Sequence, residues 1–308
     1  MGAELRATEG IVRASKRVLW GLRPVRTLHH LRRARRDAAL LDPRRPQQVP
    51  VLVHQMAKVG SSTVQATLEA LDPPRPACIK VHFLSRDGVR RERALDRRVG
   101  GPLYVSYYGA IARSLAARLR RVGGHLQVPI ISLVRDPIAR EVSGLFQLPE
   151  LAGGGVRDRQ GRIDVERALA WLESLFARGE ACLGADRWFD EELRDVFGID
   201  VFAQPFPRER GYAVLGGRRA RVLLLRTEDL DRTLGPALQE FLDLPKPPAL
   251  VRANQRAQSE QAPAYREVLD RFRLEPAVVE EIYARRLSRH FYPDAMLEAF
   301  HRRWTGSR

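Results

Sequence analysis

Val51-Leu-Val-His-Gln-Met-Ala-Lys58-Val-Gly-Ser-Ser-Thr63 sets a mostly apolar run against a lysine, a glycine and three small hydroxyl residues. The run from Val51 to Gln55 predicts a strand, and Ser62 to Leu71 predicts a helix with Val64, Leu68 and Leu71 on one face. Between them lies the chemistry of a phosphate cradle. Gly60 lets the backbone approach an anion, and the unpaired N–H groups at the helix start face it. The helix dipole and Lys58 add positive charge. The wiring differs from the nucleotide-triphosphatase loop G-x-x-x-x-G-K-[ST]. Here Lys58 precedes Gly60, and no glycine stands five residues before Gly60.

Strand and helix patterns alternate outward from this loop. Ala77 to Leu84 predicts a second strand, and Ile111, Leu115 and Leu119 mark a helix. Val128 to Val134, apolar on both faces, predicts a central strand of a parallel sheet. Asp136 and Pro137 read as the N-cap and first residue of a helix whose core face is Ala139, Val142, Leu145 and Phe146. Arg221 to Arg226 predicts a later strand. Asp164 to Phe197 reads as helical, and so does Pro276 to about Trp304, while Gly153, Gly154 and Gly155 mark a loop. The alternation implies βαβ units with right-handed crossovers. The fold class is α/β, one domain over residues 47–308 with a helical C-terminal part over 264–304.

Composition narrows the partners. The chain has 308 residues, 44% hydrophobic and 29% charged, which fits a soluble globular protein. No apolar run is long enough to span a membrane. The formal net charge of +16 points to an anionic partner: a nucleotide, an acidic glycan, a nucleic acid or an anionic lipid. No recognition helix or aromatic stacking motif singles out nucleic acid, so none is expected as a specific partner. Cys78 and Cys182 make no disulfide framework, and no zinc spacing is present. Of the 53 Lys and Arg residues only Lys16, Lys58, Lys80 and Lys246 are lysines. Two of these end apolar strands, where a compact point charge on a flexible stem is useful. Residues 1–46 form a basic extension. Its Ile11, Val12, Val18, Leu19, Trp20, Leu28 and Leu31 make an apolar stripe, suited either to a membrane surface or partner or to packing on the domain. Cytoplasm is the expected location, with the inner membrane face reached through this extension.

Ile130-Ile-Ser-Leu-Val-Arg135-Asp-Pro-Ile-Ala-Arg140-Glu-Val-Ser143 is the second informative stretch. Arg135 ends a buried strand, where open α/β sheets bind ligands. Ser143 follows roughly 9 Å along the next helix by helical rise. Together they offer a guanidinium fork and a hydroxyl to one phosphate. The alternative is an ion pair from Arg135 to Asp136 or Glu141, with Ser143 as a small packing residue.

Lys58-Val-Gly-Ser-Ser-Thr63 resembles the 5′-phosphosulfate loop of sulfotransferases that use 3′-phosphoadenosine 5′-phosphosulfate (PAPS). Arg135, with Ser143 eight residues on, resembles their 3′-phosphate motif. Ile79-Lys80-Val81-His82 is similar to their Lys-Thr-His segment, and Leu225-Arg-Thr-Glu228-Asp229-Leu230 to their late Tyr-Glu-Asp-Leu strand end. The late basic loop of that superfamily has Arg252-Ala-Asn254-Gln-Arg256 as its nearest counterpart. Trp188-Phe-Asp-Glu-Glu-Leu193, Phe197-Gly-Ile-Asp-Val201, Pro205-Phe206 and Gly211-Tyr212 resemble a bacterial family of capsular polysaccharide synthesis proteins. The resemblance implies a P-loop-NTPase-like, sulfotransferase-type three-layer sandwich. It also implies transfer of a sulfuryl group from PAPS to a polysaccharide or other glycan hydroxyl, without a metal.

In that scheme Lys58, Val59, Gly60, Ser61, Ser62 and Thr63 hold the 5′ side of the donor, and Arg135 and Ser143 hold its 3′-phosphate. Lys58 steadies the bridging oxygen, Lys80 adds charge beside the sulfuryl group, and His82 takes the acceptor proton. Asp190, Glu191 and Glu192 are alternative bases, or else a solvated helix face. His54, Trp188 and Phe189 are expected in the core. Two other functions remain open: a nucleotide kinase or NTPase on a similar sheet, and a non-catalytic nucleotide- or glycan-binding protein.

Overall fold

β1 (Val51–His54) is buried along its whole length, as a short apolar strand must be when both its faces are covered. The computed structural model describes residues 23–72, 77–124, 126–152, 155–253 and 260–306. β1 lies inside a five-stranded sheet with β2 (Cys78–Val81), β3 (Val128–Val134), β4 (Tyr212–Gly216) and β5 (Ala220–Arg226), in the order β2-β1-β3-β5-β4. Four strands run parallel, and β4 pairs antiparallel to β5 at the edge. From β1 the chain moves outward to β2, whereas from β3 it moves the other way to β5. The direction therefore reverses between β1 and β3, and a crevice opens outside their carboxyl ends. The Lys58 loop leaves β1 there, and Arg135 leaves β3.

Most predicted elements stand where the patterns put them. β3 has the predicted bounds, and β5 begins one residue early. α2 (Ser61–Glu69) buries Val64 and Leu68. α4 (Tyr107–Val122) buries Ile111, Leu115 and Leu119, and α5 (Pro137–Leu145) buries Ala139, Val142 and Leu145. Asp136 caps α5 by accepting the Ile138 N–H. The strand expected over Ala77 to Leu84 is shorter, because Leu84 and Ser85 turn away to bind a carboxylate described below.

Other elements depart from the sequence reading. α3 (Arg86–Gly100) was not foreseen, since its inward face is Gly88, Glu92, Asp96 and Gly100 and carries no apolar stripe. β4 is a half-buried edge strand with no strong alternation. The helical run expected over Asp164 to Phe197 splits into α6 (Val165–Ala177) and α7 (Leu183–Phe189). α7 continues through a π-helical turn, Asp190–Arg194. Gly179 and Cys182 at the break both have positive φ, which an α-helix cannot contain. After α8 (Leu230–Leu242) come α9 (Ala262–Arg271), α10 (Pro276–Ala284), α11 (Arg286–Phe291) and α12 (Asp294–Thr305). Extended backbone at Arg285 separates α10 from α11, and Pro293 separates α11 from α12, so the expected helical stretch is three helices.

Two packing details bear on the crevice. α1 (Arg23–Ala39) lies on α4 with Ala34 and Ala38 buried. His30 and Thr27 bond the backbone of Val105, and Asp37 accepts from the Tyr107 hydroxyl. Leu28 stays exposed and Leu31 is half-buried, while Ile11, Val12, Val18, Leu19 and Trp20 lie outside the described residues, as do Gly153 and Gly154. At the other end of the chain, Tyr283 of α10 and Trp304 of α12 donate to the buried Asp136 carboxylate at 2.9 and 2.8 Å. The C-terminal helices thereby clamp the strand end that carries Arg135. No described helix is long and apolar enough to cross a membrane.

Candidate functional site

The loop after β1 is held open by its backbone. Lys58 and Gly60 have φ of 72° and 85°, and Gly60 stands at the N-cap of α2. A Cβ on Gly60 would meet Leu230 Cδ1 at 3.1 Å and Thr227 Cγ2 at 3.2 Å, so the glycine satisfies both a conformational and a steric demand. Arg135 donates to the Lys58 carbonyl at 3.0 Å. Thr227 Oγ1 lies 2.7 Å from the Val59 carbonyl oxygen and 2.8 Å from that of Val134, so its one proton serves either. These bonds tie together the carboxyl ends of β1, β3 and β5.

The crevice is a polar cavity of 760 Å³. It is lined by Lys58, Gly60, Ser61, Ser62, Thr63, Lys80, His82, Arg135 and Ser143, which the sequence placed far apart. Val59 is the exception: its side chain is fully buried and it does not line the cavity. The alternative pairing of Arg135 with Asp136 or Glu141 is not what forms. Tyr283, Trp304 and Ile138 take the Asp136 carboxylate, and Glu141 pairs with Arg140. Ser143 is 2% exposed and belongs to the wall of this cavity. Arg252 also lines it and bonds Asp231 at 2.8 Å, while Asn254 and Arg256 lie outside the described residues.

Lys80 reaches toward Ser62 Oγ at 3.4 Å, and burial holds its ammonium below the usual lysine range. Half-buried His82 places Nδ1 3.0 Å from the Gln55 carbonyl oxygen and stacks on Tyr108 at 4.7 Å between ring centroids. A carbonyl only accepts, so Nδ1 carries the hydrogen and Nε2 holds the lone pair. Burial pushes His82 down to about 4; the Gln55 bond opposes this, and the Lys80 charge adds to it.

A second, more apolar cavity of 510 Å³ adjoins the first. Lys58, His82, Tyr108, Ala57 and Gln147 line both. Its remaining wall includes Phe83, Tyr104, Trp171 and Trp188, with Glu92 and Asp96 from α3. Sequence reasoning missed the last two because a helix with carboxylates and glycines inward has no recognisable period.

Carboxylates in the late stretch have structural work. Glu192 is fully buried, not part of a solvated face. It accepts from the backbone of Leu84 and Ser85 and from Ser85 Oγ, and His54 Nε2 lies 3.5 Å away. Burial works to raise its carboxyl, but these partners outweigh it and leave it below the ordinary range. Glu191 pairs with Arg91, and Asp190 with Arg194 and Arg286. Trp188 and Phe189 are core residues as expected, and Trp188 Nε1 donates to the His82 carbonyl at 3.0 Å. His54 is buried and structural. Glu228 opens to the crevice, yet its carboxylate accepts from the Asp136 N–H and from the Tyr292 hydroxyl. Burial, with Asp136 nearby, pushes it up to about 7.

Fold and crevice together define an α/β protein with a mostly parallel five-stranded sheet and a cation-rich cleft at its switch point. Residues 160–293, less than half of the chain, match the model of a family described as "Putative capsular polysaccharide synthesis protein". The match runs through α6, the π-helical turn, β4 and β5 to α11, and stops short of the Lys58 loop and Arg135 on the N-terminal side. No curated protein and no solved structure matches the chain.

Proposed function

We propose that this chain is a transferase that moves a sulfuryl group from PAPS to a carbohydrate hydroxyl, in the synthesis of a capsular or other cell-surface polysaccharide. The observation that carries the proposal is the pair of adjoining cavities sharing Lys58, His82 and Tyr108. A polar, cation-rich chamber suits an anionic donor, and an aromatic chamber suits a sugar ring. Two substrates meeting at a shared wall is what a transfer reaction requires. The match over residues 160–293 supports the glycan side, and the resemblance of the Lys58 and Arg135 motifs supports the donor side.

PAPS supplies the sulfuryl group. The N–H groups at the start of α2 and Lys58 bind the leaving phosphate side, where charge accumulates as the S–O bond breaks. Lys80 adds positive charge beside the sulfuryl oxygens. His82 Nε2 takes the proton of the acceptor hydroxyl as its oxygen bonds to sulfur. Arg135 and Ser143 hold the 3′-phosphate and so distinguish PAPS from ATP. The exposed Arg26, Arg32, Arg35 and Arg36 of α1 supply a basic surface for the inner face of an anionic membrane.

The test is calorimetric titration of the full chain with 3′-phosphoadenosine 5′-phosphate (PAP), beside ADP and ATP. PAP binding at least about tenfold tighter than ADP, with the preference lost in Arg135→Ala, is expected. Equal binding of PAP and ADP, or none, would remove the sulfotransferase assignment.

A further inference from the structure

Glu92 and Asp96 stand one turn apart on α3, and both line the aromatic cavity. Each residue is 5% exposed. Asp96 Oδ2 accepts the Ser106 N–H at 3.1 Å, and Gly109 leaves it the room to do so. No hydrogen bond reaches the Glu92 carboxyl among the described residues. Burial, and then the Asp96 charge beside it, push that carboxyl up to about 7. Of the three arginines on the same wall, Arg91 pairs with Glu191 and Arg140 with Glu141, while Arg187 is exposed. The side chain as a whole is buried, and its unpartnered carboxyl opens into the cavity, where a ligand can meet it.

The wall asks for a ligand with several hydrogen-bond donors, one apolar face and no negative charge. Carboxylates accept from hydroxyls, while Tyr104, Tyr108 and Trp171 give the wall aromatic, apolar surface. An acidic substituent here would meet a second and third carboxyl in an apolar setting, where like charges repel most strongly.

We propose that this chamber seats an uncharged pyranose, with its hydroxyls donating to Glu92 and Asp96, and that the carboxyl pair excludes sugars that carry an acid. Naming that sugar the acceptor rests on the transferase proposal; its binding does not. The +16 charge of the chain acts on a polymer as a whole, whereas the chamber acts on the one ring seated in it.

The experiment is a ligand-observed NMR titration of the full chain with methyl glycosides of glucose, galactose and mannose, each beside its uronate. At least one neutral glycoside should bind, with its uronate weaker by at least about tenfold, one decade being a modest effect for a repelled charge. At about pH 8, above the raised Glu92 value, Glu92→Gln keeps the shape and removes the charge, so it should bring that ratio toward unity. Asp96→Asn gives the same readout should Glu92→Gln fail to fold. Uronates binding as tightly as their neutral partners would overturn the proposal. So would no binding of any neutral glycoside, or a ratio unchanged in a folded variant. PAP titration of the same samples reports on the other chamber, so failure here and failure of the donor assignment are separable.

Discussion

Protonation of His82 should cost this protein stability in a window set by its surroundings. The ring is held near 4, against about 6.5 for a free histidine. Between those values the unfolded chain binds a proton that the folded one refuses. The contribution is therefore intact above about 6.5 and is lost as pH falls toward about 4. Integrating between about pH 7 and about pH 5 gives a loss of about 2 kcal/mol from this one group. Glu92 and Glu228 act in the opposite sense, since each is pushed up to about 7 and favours the fold when protonated. They obscure the net pH curve of the native protein, but they are common to a His82→Gln variant. The assay is urea unfolding of both proteins at the two pH values, read as the difference between them. That difference should shift by about 2 kcal/mol in favour of the variant at the lower pH. A difference that stays constant would refute a His82 held neutral by its surroundings. In the transferase proposal the same titration places the acid limb of kcat/KM near 4 in the free enzyme, well below the ordinary histidine range.

Other outcomes follow from the same geometry. Gly60→Ala should lose about 1–2 kcal/mol of stability, from the left-handed backbone alone, in chemical denaturation, and should weaken PAP binding in calorimetry. Glu192→Ala leaves the Leu84 and Ser85 N–H groups and the Ser85 hydroxyl without their acceptor, so a loss of about 3–5 kcal/mol is expected in the same denaturation assay. Arg135→Lys keeps the charge but loses the fork that reaches the Lys58 carbonyl. PAP affinity should fall by at least about tenfold while the unfolding midpoint moves little. Vesicles rich in anionic lipid should bind the full chain at low salt and release it at high salt, in a sedimentation assay, if the basic face of α1 meets a membrane.

Local chemistry made the strand ends legible. Lys58, Gly60 and the hydroxyls after them declare a sharp strand-to-helix turn, and the left-handed backbone at Gly60 is what such a turn needs. Asp136-Pro137 declares a helix start, and the unbroken apolar run over Val128 to Val134 declares a central strand. The same logic placed Arg135 at a strand terminus. It could not show that the Arg135 guanidinium would reach back to the Lys58 carbonyl, since that bond joins residues 77 positions apart.

What only tertiary structure decided is which buried polar groups face one another. Glu192 looked like part of a solvated helix, yet it is buried by a turn formed 107 residues earlier in the chain, at Ser85. α3 carries Glu92 and Asp96 inward, where hydrophobic periodicity is silent. Trp304 and Tyr283 brace Asp136 from helices at the far end of the chain. In each case the physical reason is the same. A hydrophobic stripe or a capping residue acts through its near neighbours and leaves a mark in the sequence, whereas a buried carboxylate is tolerated only because of donors that folding brings from elsewhere.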